Sequence, residues 1–156
     1  VHPRVQKDRY QGSPRWEPYG ATLEQAPFPV AYNGDIFGVD DMNALLDAYP
    51  ATRHVMLGRG VVANPALARM IRGGNPATLG ELAHFHDRLF CEYEALMGAD
   101  NAAARMKEWW SYAKCCFADP ASVHLAVRGV RGQAEYMAAV ERVFGTEALA
   151  DEPRLR

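Results

Sequence analysis

Phe28-Pro29-Val30-Ala31-Tyr32-Asn33-Gly34-Asp35 and, further on, His54-Val55-Met56-Leu57-Gly58-Arg59-Gly60 decide the fold of this 156-residue chain. Each stretch begins as a short apolar run of the buried-strand type and ends in a glycine-bearing turn. Between them Val39, Met42, Leu45, Leu46 and Tyr49 fall at helical spacing. After the second, Asn64 reads as an N-cap, Pro65 as the first position of a short helix and Gly73 as its stop. Strand, helix, strand, helix at these lengths predicts parallel β/α units.

Outward from this centre the character changes. Residues 3–27 read as loop, punctuated by Tyr10, Gly12, Pro14, Trp16, Pro18, Tyr19, Gly20 and Pro27. Beyond Gly73-Gly74, Thr78 and Glu81 form a capping box ahead of a stripe at Leu82, Phe85, Leu89, Tyr93 and Leu96 that Gly98 ends. Further helices are expected from about Ala102 to Phe117, from Asp119-Pro120 to near Gly129, and from about Gln133 to Phe144. Four helices with short connections suggest a bundle. The division expected is 1–74 for the β/α part, 75–145 for a helical domain and 146–156 for a polar, frayed tail.

Composition excludes several classes. The apolar fraction of 49% and charged fraction of 23% are those of a globular protein, and a net charge of −2 provides no global basic field. Any nucleic-acid partner would meet a local patch. Cys91, Cys115 and Cys116 hold no Cys-x-x-Cys spacing, which predicts reduced thiols and a cytoplasmic setting. No apolar run reaches the length of a membrane span, and no membrane partner is expected. The chain opens on Val1-His2-Pro3, without methionine, and reads as part of a longer protein.

The two glycine turns are candidate ligand residues. Each follows a strand in a parallel β/α unit, where barrels bind ligands, with phosphates often beside the amino end of a short helix. Glycine lets backbone N–H groups approach an anion, Arg59 adds a positive fork and Asn33 an amide donor. Either motif alone is an ordinary turn or loop. Together, in successive units, they predict a phosphate site.

The residues Val1-His2-Pro3-Arg4, Tyr10, Gly12, Pro29 to Ile36, Val55 to Gly60 and Asn64-Pro65 resemble the later half of the tRNA-dihydrouridine synthases. The resemblance runs to about Phe144, and Arg105 to Tyr112 with Arg128 is most similar to the tRNA-dihydrouridine(16) synthase subclass. It implies the last strands of a TIM-type α/β barrel followed by an all-α helical bundle domain that holds tRNA. It implies FMN as cofactor, NADPH as reductant and a monomeric full-length enzyme. By position, it places His2 against the flavin ring. Asn33, Gly34 and Asp35 would meet the ribityl-phosphate region, and Gly58, Arg59 and Gly60 the phosphate. Tyr10, Arg105, Lys107, Tyr112 and Arg128 would meet tRNA. Pro3 and Val5 depart from the family's usual glycine and threonine, which bears on the local loop geometry.

Spacing alone carries the RNA contacts less far. Arg105 and Tyr112, seven apart, share a helix face, and Lys107 and Lys114 share another. Spacing favours core for Met106 and Trp109 and a solvated face for the charges. Only the resemblance turns Arg105, Lys107, Tyr112 and Arg128 toward RNA. His84 and His86 point to different faces and make no metal pair, His124 reads as structural, and no metal site is expected. Asp40-Asp41 suit a helix start, and Cys91 reads as inert core.

The implied reaction reduces a specific uridine of tRNA, at position 16 in the D-loop, to 5,6-dihydrouridine. The flavin gives hydride and a cysteine gives the proton. In the family that cysteine lies in the earlier barrel, and none of the three here fits. The 156 residues alone are therefore expected to be inactive and to hold FMN weakly. Two alternatives stand beside this reading: a flavin barrel oxidoreductase acting on a small molecule, and a non-catalytic RNA-binding helical module.

Overall fold

The computed structural model describes residues 1–4, 14–153 and 155. Tyr10 lies outside the described residues. The elements run α1 (Trp16–Gln25), β1 (Ala31–Tyr32), α2 (Val39–Ala48), β2 (His54–Val55), α3 (Arg59–Ala63), α4 (Leu67–Ile71), α5 (Leu79–Met97), α6 (Ala99–Ala113), a 3-10 turn (Lys114–Cys116), α7 (Pro120–Arg128) and α8 (Gly132–Thr146).

β1 and β2 pair in parallel, Ala31 opposite His54 and Tyr32 opposite Val55, as the β/α spacing predicts. They are shorter than the apolar runs that signal them. The ladder continues in single bonds: Met56 N donates to the Tyr32 carbonyl, and on the other side of β1 Asn33 N donates to the Val1 carbonyl. The opening residues thus lie against one side of β1 and β2 against the other.

Two helical regions differ in their bounds from the sequence reading. The stretch read as loop contains α1. Its Pro18 falls in the first turn, where a missing N–H costs nothing, and its Gly20 is a contact rather than a break. A Cβ on Gly20 would lie 2.4 Å from the Tyr49 ring. The adjacent Tyr19 is fully buried with Tyr32, Ile36 and Leu45, and its hydroxyl bonds Thr52 Oγ1 at 2.9 Å. Packing of one aromatic decides the helix against the local signals. The second difference is the short helix expected from Pro65. It is two pieces, α3 and α4, with Asn64 closing the first. The helix nearest the glycine turn therefore starts at Arg59.

The remaining helices follow the sequence reading. Thr78 Oγ1 accepts from Glu81 N and Glu81 Oε2 accepts from Thr78 N, the capping box of α5. Gly98, at φ +82°, ends α5 and starts α6. Asp119 caps α7. The chain between α4 and α5 is clasped by Arg69, which donates to both Glu81 oxygens (2.7 and 3.0 Å) and to the carbonyls of Asn75 and Pro76. The Arg69 guanidinium and the Thr78 N–H hold the Glu81 carboxyl down at about 2.

Helices α5 to α8 surround one core of Met106, Trp110, Phe117, Val123, Tyr136 and Val143, which also takes Ala63 from α3. The face α5 gives to this core is Leu82, His86 and Phe90, one residue round from the apolar stripe. His86 is fully buried, while Phe85 is 39% and Leu96 77% exposed. The same rotation turns Cys91 outward, so it is exposed rather than core. The tail is pinned rather than frayed: Ala118 N donates to the Ala148 carbonyl, Ala150 N donates to the Cys116 carbonyl, and Leu149 packs on the helical core. None of the described helices is long and apolar enough to cross a membrane.

Candidate functional site

Seven residues from three separate segments meet at the carboxyl ends of the strands. His2, Asn33, Gly34, Asp35, Gly58, Arg59 and Gly60 line one cavity of about 300 Å³, with Ile36 and Phe37. The parallel pairing brings the two turns side by side, and the bonds from Val1 to β1 place His2 beside them.

The contacts fix each side chain. His2 Nδ1 lies 2.5 Å from the Asn33 carbonyl oxygen. A carbonyl only accepts, so Nδ1 is the donor in this contact. Asp35 Oδ1 accepts from Arg59 Nη2 at 2.7 Å, and Asp35 Oδ2 accepts from Arg4 Nη2. The Arg59 guanidinium carbon lies 5.3 Å from the centre of the Phe37 ring. Asp41, in the first turn of α2, accepts from the N–H groups of Phe37 and Gly38 and so holds the loop that follows Asp35.

Three glycines act differently. A Cβ on Gly34 would lie 2.1 Å from the Tyr32 hydroxyl, which receives a bond from Trp16 Nε1. Burial pushes that hydroxyl's pKa up, so it stays protonated. A Cβ on Gly60 would lie 2.1 Å from the Ile36 carbonyl oxygen, so this glycine lets the second turn sit against the first. Gly58 is the exception: its Cβ would meet nothing within 4 Å. Gly60→Ala is therefore expected to cost about 1–3 kcal/mol by forcing the two turns apart, whereas Gly58→Ala stays within about 0.5 kcal/mol. Denaturant unfolding of both variants checks the contrast, and equal losses would refute it.

Arg4 is the participant that residue-level reading left without a role. Its side chain is 3% exposed and joined to a carboxylate 31 positions on. No spacing rule links such a pair, which only the strand register brings together.

The four helical candidates fall into two groups. Arg105 and Tyr112 line a second cavity of about 420 Å³ with Val61, Val62, Phe85 and Trp109. Arg105 also pairs with Glu108 at 2.5 Å. Lys107 is elsewhere: its Nζ donates to the Val130 carbonyl, in the loop just after exposed Arg128. Lys107 thus ties α6 to the end of α7. Trp109 and Met106 are buried. One short element joins the two cavities, since α3 gives Arg59 and Gly60 to the first and Val61 and Val62 to the second.

No cysteine lines either cavity. Cys116 Sγ donates to the Ala63 carbonyl at 3.2 Å, and its side-chain hydrogen bond with the free thiol of Cys115, together with burial, pushes its thiol pKa up, which marks a structural thiol. His86 is satisfied by Tyr136 and Asp87. Among the described residues no three His, Cys, Asp or Glu side chains are gathered to hold a metal ion.

Residues 1–95 match the sequence profile of the family described as dihydrouridine synthase (Dus). Over 153 residues the chain is 30% identical to a tRNA-dihydrouridine(16) synthase of Ralstonia nicotianae, covering 92% of this chain and 45% of that protein. A protein of the same name from Neisseria meningitidis serogroup B is 31% identical over 156 residues, 94% of this chain and 46% of the relative. The chain spans about half the length of the curated relatives it matches.

Proposed function

This chain belongs to the dihydrouridine synthase family, and from that premise we propose that it forms the phosphate-holding end and the tRNA-gripping helices of an FMN-dependent reductase. The reductase converts uridine 16 of tRNA to 5,6-dihydrouridine with NADPH. The observation that carries the reading is the run of α3 between the two cavities, one bearing Arg59 and Gly60, the other Arg105 and Tyr112. It supports the reading because the cavity with Arg59 then adjoins an aromatic, partly basic recess, as a reaction on an exposed base requires.

The residues present fit a flavin nucleotide. Gly58 lines the cavity although packing does not demand a glycine there, which leaves that wall open to a ligand. Arg59 offers a guanidinium for a phosphate, and the Asn33–Gly34 turn offers backbone and amide groups. His2 lines the same cavity, its ring held beside the turn by the Asn33 carbonyl, where it would lie against the flavin. When bound, the flavin supplies the hydride; this chain's residues orient it and hold its phosphate. The proton does not come from Cys91, Cys115 or Cys116, none of which lines the cavity, so the 156 residues alone are proposed to be inactive. In this reading β1 and β2 are the last strands of a barrel, and the enzyme is a cytoplasmic monomer.

On the RNA side, Arg105 and Arg128 would meet phosphates. Changing both to alanine is expected to weaken tRNA binding and reduce the slope of log K against log salt by about 1.5–2. Binding measured across a salt series tests this. An unchanged slope and affinity would remove the RNA reading of the helical domain.

A further inference from the structure

A carboxylate inside an anion site is out of place by charge, and Asp35 is such a carboxylate. Its two oxygens are used separately, Oδ1 by Arg59 and Oδ2 by Arg4. The three residues come from three segments: the strand-like opening stretch, the turn after β1 and the turn after β2. One side chain therefore ties together the three segments that build the cavity.

We propose that Asp35 is a positioning residue that aims the Arg59 guanidinium at the phosphate rather than a group that itself binds the ligand. The proposal rests on the reading that the cavity holds the phosphate of a flavin nucleotide. An arginine side chain that is 34% exposed samples many rotamers. Asp35 removes that freedom from one side and the Phe37 ring from the other. Arg59 also lines the cavity, so the guanidinium that Asp35 holds through Nη2 is presented to a ligand there. Arg4, 3% exposed, has no comparable freedom, and its bond fixes the opposite oxygen of Asp35. The carboxylate is thus anchored by the buried arginine and orients the accessible one. Its negative charge is offset by the two cations it touches, so a phosphate meets a cationic edge.

The test uses FMN and riboflavin, which differ by the phosphate alone, titrated by flavin fluorescence against the protein and its Asp35→Asn and Asp35→Glu variants. Asp35→Asn keeps the shape but weakens the hold on both guanidiniums. It is expected to lower FMN affinity by about tenfold to a hundredfold while riboflavin affinity stays within about twofold. Asp35→Glu restores the charge and is expected to recover part of the loss. Equal losses for the two ligands would make Asp35 merely structural and overturn the proposal. Unchanged or tighter FMN binding in Asp35→Asn would overturn it too, by showing that the carboxylate is idle or only repels the phosphate. Should the unaltered protein bind FMN no better than riboflavin, the phosphate reading beneath the proposal fails, a result that needs no variant.

Discussion

Trp110→Ala is expected to remove about 3–5 kcal/mol of stability, the largest single loss among the core residues. Trp110 is fully buried at the centre of the helical core. Its ring lies 5.0 Å from Trp109, 5.6 Å from Phe144, 5.7 Å from His86 and 5.9 Å from Phe117 between centroids. Its Nε1 donates to the Tyr136 hydroxyl at 2.9 Å. Truncation opens a cavity among aromatics that cannot collapse together and strips one bond from a buried hydroxyl. Domains of this size have about 5–15 kcal/mol in all, so the variant should unfold at a much lower urea concentration. Leu125→Ala is the control: Leu125 is 77% exposed, and its loss should stay within about 0.5 kcal/mol. If the two variants unfold at similar midpoints, Trp110 is not the keystone of this core.

Acid should loosen the same helices through His86. Trp110 Nε1 donates to the Tyr136 hydroxyl, that hydroxyl donates to His86 Nε2 at 2.6 Å, and His86 Nδ1 donates to Asp87 Oδ1 at 2.9 Å. Each member donates once, and the scheme works only with a neutral imidazole. Burial pushes the Tyr136 pKa up, so its hydroxyl keeps its proton across the ordinary range. Burial also lowers the His86 pKa, with Asp87 working the other way, more weakly. A base whose folded pKa lies below its unfolded value binds fewer protons when folded. Stability is therefore complete above the unfolded value of about 6.5 and is lost as pH falls below it, until the folded pKa is passed. Denaturant midpoints between about pH 7.5 and 5 should fall for the unaltered protein. His86→Phe starts lower, because Tyr136 loses its acceptor, at a cost of about 1–3 kcal/mol. It should then show a flatter profile over that interval. A profile as steep as the parent's would assign the acid sensitivity to other groups.

The signals that were legible are those carried by neighbours in sequence. The Thr78–Glu81 capping box, Asp119-Pro120 at the start of α7 and Gly98 at a positive φ all mark real helix ends, because each acts within one turn. The alternation of strand and helix gives parallel pairing, because no short hairpin could join β1 to β2 across α2. The features missed are those set by contacts across the chain. Pro18 and Gly20 look like breakers until Gly20 meets Tyr49. The stripe of α5 misplaces its buried face because His86, polar by type, finds Tyr136 fifty positions on. Cys91 turns outward for the same reason, and the tail is held by residues near Phe117 that its composition does not announce.

The glycine turns themselves divide along this line. The sequence by itself determined that Asn33-Gly34-Asp35 and Gly58-Arg59-Gly60 follow strands of one parallel unit, since strand length, apolar pattern and turn chemistry are local properties of the chain. Only the tertiary structure decided that Gly60 must be bare because the Ile36 carbonyl approaches it, and that Gly58 is bare without any such neighbour. It alone decided that Arg4 and Arg59 share the carboxylate of Asp35. Close approach and charge pairing depend on where three distant segments come to rest. That is fixed by the packing of α1 and α2 against the strands, and it leaves no periodic trace in the order of residues.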